Sequence, residues 1–455
     1  MNKIACFIFS ILIGFASHAQ TKKWTIQECV AYALKNNISI KQSVLDADLA
    51  KIDKNSALGS FLPSINADAS HSWNIGLNQN ITTGILENQT TQFSAFGLNT
   101  GVDIYKGLQN QNRLRKSNLQ ILASQYNLDK MKEDISLYVA NAFLQILFDK
   151  ENIKVQKEQL AISEKQYVRT DELVKAGSIP RGDLLDIKAT VASNKQKVVS
   201  AENAFIISKL SLVQLLQLED FENFDIADVE YGVADSPTML LGPETIFQKA
   251  KEIRVELKIA KSNLEIAERD LKIARGGFQP SLQGFYRFNT RISYADVPVF
   301  DSSGKFVGFR NPNPFFNQFS DNKGHNFGMQ LNIPILNGFS VKNSVERSKV
   351  SIEKNKLALS QSELDLERNV FKAFTDVKGA LNAYESAIIA LDARKEAFNY
   401  ASEKLAVGIM NAFDFNQSQT LLSNSQSEVL RTKYDYIFKV KVLELYFGIP
   451  IIQKQ

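Results

Sequence analysis

Along residues 107–176 apolar side chains recur at steps of three and four: Leu128, Met131, Ile135, Tyr138, Ala142 and Ile146, with Lys130, Lys132, Glu133 and Asp134 between them. That period belongs to an amphipathic helix. No proline and no interior glycine interrupts it. At 1.5 Å per residue such a stretch reaches roughly 100 Å, so it spans a distance rather than filling a core. Gly177, Pro180 and Gly182 end it, and a second amphipathic run over residues 183–218 brings the chain back. In that return run Leu184, Val191, Val198, Phe205 and Leu212 are spaced by seven, as are Ile187, Asn194, Ala201, Ser208 and Leu215. A seven-residue repeat keeps helices side by side. The small and polar members of the second series suit a helix with neighbours on both sides.

A different period appears over residues 61–77, 93–105, 279–294 and 324–336. Ile65, Ala67, Ala69 and Trp73 alternate with Asn66, Asp68, Ser70 and Asn74; Phe96, Leu98, Val102 and Ile104 alternate with Gly97, Asn99, Gly101 and Asp103. Leu282, Tyr286, Phe288 and Ile292 do so less cleanly, because Phe285 falls on the polar side. Phe327, Met329, Leu331, Ile333 and Ile335 alternate with polar residues and glycine. Strands with one greasy and one wet face fit either a membrane barrel or a soluble sheet lying on a core. Residues 25–58 read as one helix, opened by Thr25 and Glu28 at capping-box spacing, and residues 243–275 as its second copy. The polar stretch 78–91 and the longer, phenylalanine-rich stretch 295–323 read as loops at the strand tips.

The pattern occurs twice. A shift of 231 positions lays Gly107 on Gly338, Gly177 on Gly408 and Asp183 on Asp414, without a gap from residue 96 to residue 217. The initial helices repeat at a shift of 217, so the difference of 14 (231 − 217) falls in the loop between the second pair of strands. The expected organisation is a first repeat over 20–217, a linker over 218–242, a second repeat over 243–448 and a tail over 449–455.

Composition narrows the class. The 455 residues carry 53 basic and 49 acidic side chains, a formal charge of +4, with nothing that points to nucleic acid. Lys3, the apolar run 4–15, and Ser17 and Ala19 form a secretory leader over residues 1–19, cleaved before Gln20. Cys6 lies inside it, leaving Cys29, which reads as a buried apolar residue. No later segment has 18 consecutive apolar residues, so no transmembrane helix is expected. The leader, together with greasy strand faces that no other segment covers, favours the membrane barrel. Four strands cannot close one, and a bilayer tolerates no open sheet edge, so several copies share it. The histidines His71 and His325 stand alone, without the spacing of a metal site. Asp183 and Asp186 sit where aspartate favours a helix start. The expectation is therefore no enzyme, no cofactor and no metal. A periplasmic structural coiled-coil protein without a pore is the alternative.

In their order, and twice over, these features resemble the TolC-like outer-membrane efflux proteins across the mature chain. The resemblance is carried by residues 25–37, by Phe61 to Ser64, by Gly177 and Gly408 each six residues before an aspartate, and by the closing residues 445–450. It implies a mainly α fold with a membrane β-barrel: a trimer with a 12-stranded barrel and a periplasmic α-helical barrel. It also implies a duct in the bacterial outer membrane that passively exports substrates, served by a periplasmic adaptor and an inner-membrane pump. The turns Ala176, Gly177, Ser178 and Val407, Gly408, Ile409 then correspond to adaptor-docking tips, and Asp414 to a periplasmic gate. Met410 and Gln417 stand where the family often has an arginine and a second aspartate.

Overall fold

The computed structural model describes residues 23–79, 86–228, 232 and 237–450. The expected leader, its cleavage point and most of the tail lie outside them. The chain folds into two compact units, a helical one from residues 1–46, 124–260 and 359–455 and a sheet unit from residues 47–123 and 261–358.

The long helices match their sequence punctuation. Helix α3 (Gln109–Lys175) has 67 residues and α4 (Arg181–Leu216) has 36; the second copy gives α8 (Ser340–Ala406) with 67 and α9 (Ala412–Phe447) with 36. Adding 231 to the bounds of the first pair returns those of the second. The backbone repeats as well. Leu108 and Phe339 have φ of 57° and 63°, and Gln217 and Gly448 take left-handed conformations after α4 and α9.

The initial helices differ from the single runs expected. The first breaks at Asn37 into α1 (Ile26–Asn36) and α2 (Ile38–Gly59), and the second breaks at Arg254 into α5 (Pro243–Ile253) and α6 (Val255–Gly276). Both breaks have extended ψ, 133° and 131°. Tertiary contacts hold them. The Asn37 side chain donates to the Leu215 carbonyl at 3.0 Å and accepts from the Ser39 amide at 2.9 Å. At the corresponding place Arg254 binds Glu256 and lies 5.4 Å from the Tyr446 ring. Residues 37, 39 and 215 of the first half thus correspond to 254, 256 and 446 of the second. The capping box at the start of α1 forms, Thr25 and Glu28 bonding reciprocally at 2.9 and 3.3 Å.

Two cores fill the helical unit. One gathers Cys29, Val30, Val139, Phe143, Ile146, Leu212 and Leu216, and the other Ile246, Leu257, Val370, Val377, Tyr436 and Leu443. Cys29 is buried as read from the sequence. The strands β1 (Lys23–Trp24) and β4 (Asp225–Ile226) pair in parallel beside the first core. Helix α4 has no run of 18 consecutive apolar residues, yet by length and composition it is apolar enough to cross a membrane. One 18-residue window averages 1.3 in mean hydropathy; Glu202 and Lys209 keep it from being an unbroken apolar run. Its inner side meets α3, where Asn194 donates to Ser163 at 3.1 Å, and its outer side exposes Val199, Ile206, Ile207 and Leu210.

Among the described residues the main sheet of this unit has four antiparallel strands in the order β2 (Ser64–Gln79), β3 (Leu86–Lys106), β5 (Ser281–Ser293) and β8 (Gly324–Asn332). Much of the expected loop 78–91 is strand instead, with pairing running out to Gln79 and Leu86. Residues 87–92 are all polar, so no alternation marked that stretch as strand, although Ile75, Leu77 and Leu86 of the same pair are apolar and exposed. The fourth strand stops at Asn332, short of the expected 336, because Pro334 cannot donate to the ladder. Register explains Phe285. It pairs with Gly101 on one side and Gly328 on the other, and a Cβ at Gly328 would stand 3.2 Å from its ring. The phenyl group lies over bare backbone on the polar face. That face carries Asn66, Asp68, Asn99, Gln283, Arg287, Asn326 and Gln330. The opposite face carries Ile65, Leu98, Phe288, Phe327, Met329 and Leu331. The loop 295–323 is structured: β6 (Val297–Phe300) and β7 (Phe306–Arg310) form a hairpin, and α7 (Phe315–Asp321) follows. Phe315 and Phe319 pack on Phe96 and Phe288, with centroids 5.7 to 6.1 Å apart. One segment therefore does cover part of the greasy face, contrary to expectation.

Candidate gate and docking turns

Both long hairpins turn by the same device. At the end of α3 the Gly177 amide donates to the Val174 carbonyl at 3.0 Å and the Ser178 amide to Leu173 at 2.9 Å. At the end of α8 Gly408 donates to Leu405 at 3.2 Å and Ile409 to Lys404 at 2.9 Å. Each is a Schellman closure, which needs a left-handed residue at its centre. Gly177 and Gly408 supply it with φ of 74° and 77°. All six turn residues are exposed. The two turns differ in chemistry, since the second exposes Val407, Ile409 and, in the first turn of α9, Phe413, whereas the first carries Ala176 and Ser178. The Arg169 guanidinium donates to the Ala406 carbonyl at 3.2 Å, tying one hairpin to the end of the other.

The return helices start differently. Pro180 opens α4 without a side-chain cap. Asn411 opens α9, its side-chain oxygen accepting from the Asp414 amide at 2.8 Å while its nitrogen donates to the Asp414 carboxylate at 3.0 Å. The cap is therefore Asn411, and Asp414 is the third helical residue, exposed and available for another role. A residue of the favoured N-cap type three positions before Asp414 was the signal for this in the sequence.

Behind the turns, neutral amides and hydroxyls join the hairpins. Gln419 donates to the Gln159 carbonyl at 3.1 Å in a buried contact, Gln159 donates to Gln426 at 3.3 Å, and Ser427 donates to Asn152 at 2.9 Å. Asn416 donates to Thr190 at 3.3 Å. Each such bond is worth only about 1 kcal/mol net, because water replaces it on separation. Sequence reasoning missed Gln419 and Asn416, whose first-copy counterparts at a shift of 231, Lys188 and Leu185, lie between the seven-spaced series. Among the described residues no group of three or more histidine, cysteine or acidic side chains is placed to hold a metal. His71 is bonded to Ser94 and Gln92, and His325 to Tyr286, each at 2.8 Å.

The sequence matches the family described as outer membrane efflux protein over residues 30–217 and 246–448. It is 21% identical to the outer membrane protein TolC of Vibrio cholerae serotype O1 over 459 residues, covering 98% of this chain and 96% of that one. To the TolC of Escherichia coli K12 it is 20% identical, covering 96% and 84%. Among solved structures, the Campylobacter jejuni CmeC outer membrane channel superposes with a TM-score of 0.79 at 17% identity, covering 94% of this chain and 87% of that one. The open state of the Neisseria gonorrhoeae MtrE outer membrane channel gives 0.74 at 16%, covering 94% and 91%.

Proposed function

The chain belongs to the outer membrane efflux protein family, and from that premise we propose that three copies close one barrel and act as a passive duct, not as an enzyme. The protein is an efflux channel of the bacterial outer membrane. In our reading it consists of two structural repeats, 20–217 and 243–448, joined by the linker 218–242. Its partners are a periplasmic adaptor and an inner-membrane pump. The polar sheet face lines the lumen and the apolar face meets lipid. Outer-membrane placement sets aside the poreless periplasmic rod.

The observation that carries the trimer is a stripe on α8. Val350, Leu357, Leu364 and Phe371 are spaced by seven and are 61, 71, 60 and 39% exposed. Apolar residues held at that spacing need a neighbouring helix. The four strands of the sheet also leave β2 and β8 as edges, and three such sheets (3 × 4) make 12 strands. The purified protein in mild detergent is expected to run as an oligomer and to conduct ions in a planar bilayer. A non-conducting monomer with native circular dichroism would overturn the reading.

We place adaptor docking at the two exposed turns. Gly177→Val together with Gly408→Val forces a β-branched residue into left-handed backbone and changes the surface there. Export in cells should fall at least tenfold while the unboiled oligomer persists on gels. Export that survives both changes would leave the residues as plain turns.

We assign the gate to Asp414. In a trimer three carboxylates would approach the axis, favouring cations and repelling one another. Because Asn411 holds the cap, Asp414→Asn keeps the helix start and removes only charge. The expected result is reduced cation selectivity and weaker block by trivalent cations in single-channel recordings. Unchanged selectivity and block would confine Asp414 to its helix.

A further inference from the structure

We propose that α7 is a membrane-interface element, seated on the lipid side of the barrel with Phe316 in the outer boundary of the bilayer. The inference rests on the apolar sheet face being the lipid face, and it goes beyond that reading in assigning a lipid-binding role to the loop of the second repeat.

Three observations carry it. The first is position. Phe315 packs edge-on against Phe96, and Phe319 packs against both Phe96 and Phe288; Phe96 and Phe288 alternate onto the same side as the exposed Phe327, Met329 and Leu331. Helix α7 therefore lies over the apolar face and continues it. The second is the sealing of a strand edge. Strand β5 runs to Ser293, but its pairing with β8 ends at Asn289 and Gly324. Beyond that point α7 and the residue that caps it, Asn322, take the free backbone groups. Asn322 donates to the Arg291 carbonyl at 2.7 Å. Gln318 accepts from the Ser293 amide and donates to the Ser293 carbonyl, both at 3.0 Å. In water such an edge is satisfied by solvent at little cost, whereas in a bilayer each open group costs several kcal/mol. The third is exchange of surface chemistry. Ser94 and Thr290 stand on the lipid side and are buried. Thr290 donates to the Phe319 carbonyl at 3.0 Å, and Ser94 bonds to Tyr294 and His71. In their place α7 presents Phe316, 81% exposed. Asn317, Ser320 and Asp321 on the same helix are also exposed, which sets α7 at the boundary with the headgroups rather than deep in the chains.

The test is a spin label at Phe316→Cys in a Cys29→Ser background, on the full chain reconstituted into phosphatidylcholine vesicles. A reference label at Met329→Cys reports the greasy face of the strands. Oxygen concentrates in lipid and a nickel chelate in water, so their relaxation effects identify the surroundings. The proposal expects the Phe316 site to respond to oxygen several-fold more than to the chelate, as Met329 does. A site open to the chelate would make α7 a solvent loop. A site closed to both reagents would make it a contact with a second copy. Either result overturns the proposal. Should the Met329 reference itself respond as water, the lipid-face reading falls and the proposal with it.

Discussion

Leu357→Lys together with Leu364→Lys is expected to convert the oligomer to a folded monomer without channel activity. Both leucines point away from their own protomer, whose core on α8 is formed by Leu366, Val370, Ala373 and Val377. Lysine is a good helix former, so α8 itself should persist. Between copies the change removes about 1.5–3 kcal/mol of apolar burial per leucine and sets charges where a neighbouring helix would pack. In a closed ring the penalty recurs at every interface. Gel mobility without boiling and size exclusion in mild detergent read the assembly; circular dichroism reads the protomer; a planar bilayer reads conduction. A conducting oligomer in the double variant would place the subunit contact elsewhere.

Most of the helical architecture could be read from the chain because its signals are local. The 3.6-residue period, the glycines at 177 and 408, and Pro180 and Gly182 each act within a turn of where they stand. The breaks at Asn37 and Arg254 could not. A helix stops there because of groups far along the sequence, the Leu215 carbonyl in one half and Glu133 and Tyr446 in the other. Phe285 looked like a fault in the alternation until register placed Gly101 and Gly328 beside it. The stretch 78–91 read as a loop because residues 87–91 are all polar and show no hydrophobic alternation. Helix α7 stayed hidden because a short run of phenylalanines has no period. Of the candidate site, the turns and Asp414 were legible as positions. Asn411 was the sequence signal for the cap, but Asp414 is itself a good capping residue, and only the bond from the Asp414 amide to the Asn411 side chain decides between them.

Arg254→Met is expected to lower the melting temperature strongly, and by less as the solution is acidified. The guanidinium is only 6% exposed and meets Glu256 on α6 at 2.7 Å and Glu133 on α3 at 2.9 Å. Burial raises the Glu133 carboxyl above its ordinary value, with Arg254 pulling it down only in part. Burial acts on Glu256 in the same direction, but its bidentate contact with Arg254 outweighs that and leaves it lowered. In the native protein the two carboxylates thus respond to pH with opposite sign. The stability that Glu256 contributes is present above its unfolded value near 4.3 and is lost as pH falls through the lower folded one. Glu133 weakens the fold when ionised and is relieved as pH falls through its raised value. Removing the arginine leaves both carboxylates half-buried and close together with no cation between them. Both values then lie above the unfolded one, and both penalties shrink on protonation. Stranding a fully buried charge costs about 3–5 kcal/mol; the partial exposure of both glutamates leaves roughly 2 kcal/mol at neutral pH. Melting followed by circular dichroism at pH 7.5 and pH 5 should therefore show the gap to the native protein narrowing in acid. The triple variant Arg254→Met, Glu133→Gln, Glu256→Gln should recover most of the loss, because neutral amides carry no stranded charge. A gap that stays constant, or a triple variant as unstable as the single one, would make Arg254 important for its packing on Tyr446 and not for holding two carboxylates at the break between α5 and α6.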